Sequence, residues 1–86
     1  MFVIVTYDVA QKRVTKTMKI CRKYLTHVQN SVFEGMITEG KLSKLKHELQ
    51  KVIVPAADSI CIYEIQNIKY TRKESIGVIR RKDNIL

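Results

Sequence analysis

The amino-acid sequence predicts a small α+β sandwich, and three observations carry that prediction. Met1-Phe2-Val3-Ile4-Val5-Thr6-Tyr7-Asp8 is an apolar, β-branched run ending in a lone carboxylate. Two later segments repeat apolar residues at helical spacing. Short β-rich runs lie between and after them, so the order reads β-α-β(β)-α-β with an extra extended segment at the end.

The opening run reads as a buried strand, because Val and Ile suit a pleated surface. From about Gln11 to Leu25, Val14, Met18, Cys21 and Leu25 recur at i, i+4, i+7 and i+11, one apolar helix stripe. Residues His27 to about Thr38 are apolar and β-rich, interrupted at Gln29-Asn30-Ser31; they read as one bent strand or a tight hairpin. Gly40 precedes a second amphipathic helix, roughly Lys41 to Ile53, whose core face is Leu42, Leu45, Leu49 and Val52 or Ile53, closed by Pro55. Asp58 to Ile65 is a strand. Ile68 to Ile79 contains a charged, extended segment, and Arg80-Arg81-Lys82-Asp83-Asn84 begins a solvated basic tail. The expected organisation is one domain over residues 1–79 and a tail over 80–86.

This order is that of a split βαβ, ferredoxin-like domain, with both helices on one sheet face. Phe2 to Tyr7 and Ile60 to Tyr63 are nevertheless apolar at consecutive positions, so both sheet faces call for burial. A homodimer packed sheet to sheet is the simplest way to cover the second face. The C-terminal segment is then free to extend an edge of the partner's sheet.

The chain has 86 residues, is 45% hydrophobic and carries a net charge of +8. That favours polyanionic partners, most simply nucleic acid, over a membrane surface. No apolar run approaches the roughly 18–20 residues of a membrane-spanning helix, and the N-terminal run lacks the basic leader and cleavage site of a signal peptide. Cys21 and Cys61 lie far apart in apolar patterns and read as buried thiols, not a disulfide or zinc site. A reducing, cytoplasmic setting is expected.

No nucleophile elbow, phosphate-binding glycine loop or metalloprotease helix occurs. Chemistry therefore centres on Asp8. Six cations (Lys12, Arg13, Lys16, Lys19, Arg22, Lys23) and no acid separate it from Glu34. Asp8 reads either as an N-cap for the helix near Gln11 or as a metal ligand. Mg2+ takes hard oxygen ligands and needs only one or two carboxylates beside substrate phosphates, so a dimer would supply a pair. Such a metal lowers the pKa of bound water and neutralises phosphate charge. Arg13 has the planar fork for a phosphate or a carboxylate, or reads as a solvated surface cation, the more common fate. Lys12, Lys16, Lys19 and Lys23 line the helix side opposite the apolar stripe, where they read as a soluble face or a phosphate-binding one. Phe33 reads as core, interface or a base-stacking ring, and Ser31 as a phosphate contact or a strand-bend residue. His27 and His47 read as surface histidines.

Val5-Thr6-Tyr7-Asp8-Val9, then Arg13, then Val28-Gln29-Asn30-Ser31-Val32-Phe33-Glu34-Gly35, Leu42, Leu45, Leu49, Asp58-Ser59-Ile60-Cys61-Ile62-Tyr63 and Gly77 together resemble the small CRISPR-associated Cas-two family. The resemblance spans nearly the whole chain. It implies a ferredoxin-like homodimer that bridges two dimers of the CRISPR integrase and holds duplex DNA during spacer acquisition. It also implies Mg2+-dependent endonuclease activity on single-stranded RNA or double-stranded DNA. In that view Asp8 binds the metal and serves catalysis, with Tyr7, Arg13, Ser31 and Phe33 in support. Many relatives carry Gly-Arg just before the middle strand's Val-Gln; here those places are Thr26-His27. Two further readings stay open: a nucleic-acid-binding module without catalysis, and a regulatory ferredoxin-like module.

Overall fold

The computed structural model describes residues 1–66 together with Glu74 and Ile76. The expected C-terminal strand, most of the segment from 68 to 79 and the tail from 80 to 86 lie outside the described residues. The elements are β1 (Phe2–Asp8), α1 (Gln11–Tyr24), β2 (Thr26–Gln29), β3 (Val32–Met36), α2 (Glu39–Val52) and β4 (Ser59–Ile65). They form a four-stranded sheet in the order β2-β3-β1-β4, with every neighbouring pair antiparallel. This is the ferredoxin-like arrangement that the element order predicts.

Strand alternation sorts the sheet into two unlike faces. Val3, Val5 and Tyr7 of β1 point toward the helices and are buried. They join Cys21 and Leu25, at and just beyond the end of α1, with Phe33, Ile37, Leu42, Leu45 and Leu49, in one core. Phe2, Ile4, Thr6 and Asp8 point the other way. Their cross-strand partners are Met36, Glu34 and Val32 on β3, and Ile65, Tyr63, Cys61 and Ser59 on β4. Among the described residues no element covers this second face, and Met36 and Tyr63 are 65% and 55% exposed on it.

The middle segment is a hairpin. Asn30 and Ser31 make the two-residue turn, and Ser31 takes a left-handed φ of 59°, a region uncommon for a residue with a side chain. The register shifts between His27 and Gln29, inserting Val28 as an extra residue. Such a bulge breaks simple alternation, so His27 and Val28 are both buried at consecutive positions. His27 is thus an interior residue stacked on Phe33 at 4.6 Å between ring centroids, not a surface histidine; His47 is exposed as expected.

Both helices differ slightly from their sequence boundaries. α1 buries Thr17 and Cys21 most deeply. Thr17 is tolerated at zero exposure because its hydroxyl donates to the Arg13 carbonyl at 2.9 Å, which satisfies the polar group within the helix. α2 starts at Glu39, with Gly40 inside its first turn, because Thr38 caps it by accepting from the Lys41 N–H at 3.2 Å. Glu48 joins the helices by accepting from Lys23 and from the Tyr24 hydroxyl. Lys23 is therefore an ion-paired member of the lysine stripe. Cys21 is buried but Cys61 is exposed, since position 61 belongs to the open side of β4.

Candidate functional site at the end of the first strand

Asp8 is the last residue of β1, exposed, on the open face and opposite Ser59 in the register. It does not cap α1. Ala10 holds the N-cap position and no side chain caps the helix there. The capping reading of Asp8 thus fails, because the chain needs Val9 and Ala10 to turn from the strand into the helix. That leaves Asp8 presented outward from a strand end.

A second carboxylate, Asp58, takes up the donors that a cap would have used. Its Oδ1 accepts from the Ala10 N–H at 2.9 Å and from Arg13 Nη2 at 2.9 Å. Its Oδ2 accepts from Arg13 Nε at 2.6 Å and from the Val54 N–H at 2.8 Å. The Asp58 side chain is fully buried and that of Arg13 is 14% exposed. Arg13 holds the Asp58 carboxyl well below the usual carboxylate range, with the Val54 and Ala10 N–H groups adding to the effect against the pull of burial. In return, the Asp58 hydrogen bond raises the Arg13 guanidinium. Of the sequence alternatives for Arg13 (a phosphate ligand, a carboxylate partner or a solvated surface cation), the fold supplies a carboxylate. Asp58 is a residue that sequence reasoning placed only as a strand opener. A pair 45 positions apart leaves no local signal.

The other candidate residues fall into two groups. Tyr7 and Phe33 lie inside the core, 6% and 0% exposed, with ring centroids 6.3 Å apart. Burial, aided by Cys21, pushes the Tyr7 phenol up to about 12. Between Tyr7 and His27, Phe33 has no open ring face for a base. Ser31 sits at the hairpin turn, and its carbonyl accepts from the Tyr7 N–H at 3.1 Å, directly before Asp8. Outside the core, Lys12, Lys16, Lys19 and Lys23 are all exposed along α1. The described residues contain no cluster of three or more His, Cys, Asp or Glu side chains able to hold a metal. No described helix is long and apolar enough to cross a membrane.

Residues 1–73 of this chain, which include the strand-end Asp8 and the cationic helix after it, match the family described as CRISPR associated protein Cas2. The chain belongs to the Cas2 family. Its relatives include proteins named CRISPR-associated endoribonuclease Cas2. That of Thermodesulfovibrio yellowstonii is 53% identical over 77 residues, covering 90% of this chain and 88% of the relative. That of Thermotoga maritima is 44% identical over 86 residues, covering 100% of this chain and 99% of the relative. The crystal structure of Streptococcus pyogenes Cas2 at pH 6.5 superposes with a TM-score of 0.77 at 38% identity, covering 90% of this chain and all of that one. Another Cas2 crystal structure gives 0.81 at 35% identity, covering all of this chain and 94% of that one. Within this Cas2 chain, the five residues that the sequence resemblance groups as catalytic are sorted by depth. Asp8 is exposed, Ser31 and Arg13 are part-exposed, and Tyr7 and Phe33 are interior.

Proposed function

We propose that this Cas2-family chain acts in CRISPR adaptation as a homodimer that binds duplex DNA and joins the spacer integrase. We further propose that Asp8 supports Mg2+-dependent cleavage of RNA or DNA. The observation that carries the reading is the exposed Asp8 carboxylate at the edge of a largely apolar sheet face that no described element covers. A second copy stacked on that face removes Phe2, Ile4, Met36 and Tyr63 from water. It also supplies a second Asp8. One carboxylate is thin for a divalent ion; two, with substrate phosphate and water, suit Mg2+.

The bound ion would supply Lewis-acid charge and an activated water. Asp8 would hold it, and Ser31 and Asp58 would anchor the backbone on either side. The exposed lysines of α1 attract phosphate without reading sequence. The outer edge of β4 is unpaired among the described residues and borders a groove lined by Leu49, Ile53, Ile60 and Ile62. We assign that edge to a C-terminal segment of the partner. A cytoplasmic site of action fits these partners.

One observation favours a binding-only alternative: Tyr7 and Phe33 are interior and Arg13 is engaged by Asp58, so of the five candidate residues Asp8 alone is fully exposed. The deciding assay compares wild type and Asp8→Asn on single-stranded RNA and duplex DNA, with Mg2+ and with chelator. Loss of cleavage in Asp8→Asn and in chelator supports the nuclease. Equal cleavage by both proteins sinks it and leaves the DNA-bridging role. That role is tested separately by co-elution with the cognate integrase and duplex DNA, and failure to co-elute under every DNA condition removes it.

A further inference from the structure

Asp8 lies between two anchored backbone positions. On one side, the Tyr7 N–H donates to the Ser31 carbonyl at 3.1 Å. On the other, the Ala10 N–H donates to Asp58 at 2.9 Å. Between them, Val9 is half-buried and packs against the core. Asp8 also pairs in register with Ser59, the neighbour of Asp58. An exposed strand end followed by a two-residue connection is a place where backbone ordinarily frays. Here it is held from below by a carboxylate whose two oxygens each accept two hydrogen bonds. The four donors come from three separate places: the β1–α1 connection, the first turn of α1 and the turn that follows α2. Within that last turn, the Asp58 and Ala57 N–H groups both donate to the Val54 carbonyl, at 2.8 and 2.9 Å.

We propose that Asp58 is a positioning residue for the Asp8 site, fixing the placement of the Asp8 carboxylate through Ala10 and through Arg13. The proposal rests on the reading of Asp8 as a metal-holding, catalytic carboxylate. Under it, Arg13 serves the site by locking Asp58, not by contacting phosphate. Functional groups need placement within about 0.5 Å, and that precision comes from the surrounding hydrogen-bonded residues. A buried carboxylate with all its acceptor positions in use is suited to that work. It has no lone pair left for substrate and no route to solvent.

Asp58→Asn preserves volume but replaces one acceptor oxygen with an amide donor. In either amide orientation, two of the four donors then lose their acceptor. The experiment uses the full chain with four variants: Asp58→Asn, Arg13→Met, Asp8→Asn and Glu48→Gln. The last removes the charge and one of the two acceptor oxygens that link α1 to α2 through Lys23 and Tyr24, away from β1, and reports the effect of weakening a tertiary contact alone. Mn2+ affinity, and kcat and KM for Mg2+-dependent cleavage, are measured at a temperature where circular dichroism shows each protein folded. Asp58→Asn is expected to lower Mn2+ affinity and kcat by about 10-fold, the low end of what removing a group bonded to a metal ligand costs, because Asp58 acts through the Ala10 backbone and not on Asp8 itself, with KM within about twofold. Arg13→Met, which leaves Asp58 its two backbone donors, is expected to lower both in the same direction but less. It decides the matter if Asp58→Asn does not fold.

Asp58→Asn behaving like Glu48→Gln in Mn2+ affinity and kcat overturns the proposal and leaves Asp58 a structural brace. A raised KM in Arg13→Met with unchanged Mn2+ affinity also overturns it, since that is the signature of a lost phosphate contact. The underlying reading fails differently: Asp8→Asn itself then binds Mn2+ and cleaves like wild type, and the positioning role falls with it. If Asp8→Asn abolishes both while Asp58→Asn and Arg13→Met change neither, only the positioning role is removed.

Discussion

Phe33 provides a sharp separation between fold and function, because its ring has no exposed area and is stacked on His27 at 4.6 Å and beside Tyr7 at 6.3 Å. Truncating such a ring removes its transfer free energy and leaves a cavity that the sheet and helices cannot fully collapse, so Phe33→Ala should cost about 3–5 kcal/mol. The loss of two aromatic contacts places the expected value toward the upper end. Small domains hold roughly 5–15 kcal/mol in total and the smallest lie low in that range, so the variant approaches global unfolding. With a urea dependence of about 1 kcal/mol per molar, the unfolding midpoint should fall by about 4–5 M. Phe33→Leu keeps an apolar filling and should cost only about 1–2 kcal/mol. The assay is urea unfolding at fixed protein concentration, because self-association would itself contribute stability. Nucleic-acid binding and cleavage are then measured per folded molecule. Phe33→Leu should retain both. The reasoning is refuted if Phe33→Ala unfolds within about 1 kcal/mol of wild type yet loses binding, since the ring would then be acting on substrate and not on the core.

Three further outcomes are expected. Burial raises the Cys21 thiol to about 12 and the Tyr7 phenol to about 12. The folded chain therefore binds more protons than the unfolded one as pH rises above the unfolded thiol value, and stability should be full below about pH 8.5 and fall progressively toward pH 12. Chemical denaturation across that range checks the slope, and Cys21→Ala should flatten its lower part. Asp58 has the opposite sign: its lowered carboxyl contributes stability above about pH 4, lost as pH falls below that, and Asp58→Asn should remove much of the acid dependence in the same experiment. For nucleic acid, Lys12, Lys16 and Lys19 are exposed and have no described acid partner, whereas Lys23 pairs with Glu48. Replacing the first three with Ala should reduce the slope of log binding constant against log salt by about 3, with little change in stability. An unchanged slope moves the phosphate-contacting surface off α1.

The element order was legible because it rests on local periodicity. The β-branched run of β1 and the Leu42-Leu45-Leu49 stripe act within a few residues, and the ferredoxin-like topology follows from the order of such elements; the Thr38 cap, which starts α2 two residues before the expected Lys41, was missed. That a second sheet face calls for burial was also legible, since Phe2 and Ile4 are apolar beside the inward Val3 and Val5, and no described element covers that face. His27 was not legible, because a single bulge residue reverses which face a side chain meets. Nor was Cys61, whose exposure depends on which face of β4 the helices cover. For the site, Asp8 stood out as the lone acid at an apolar strand's end, and that placement is local. Its relation to everything else is not. Asp58 meets Arg13 and Ala10 across more than 40 residues of chain, and only the folding of β4 against β1 brings them together. Local sequence determines helices, strands and the outward strand-end carboxylate, since each costs only the ordering of a few neighbours. Tertiary packing alone decides that Phe33 is core, that Arg13 holds a buried carboxylate, and that the backbone around Asp8 is fixed from both sides.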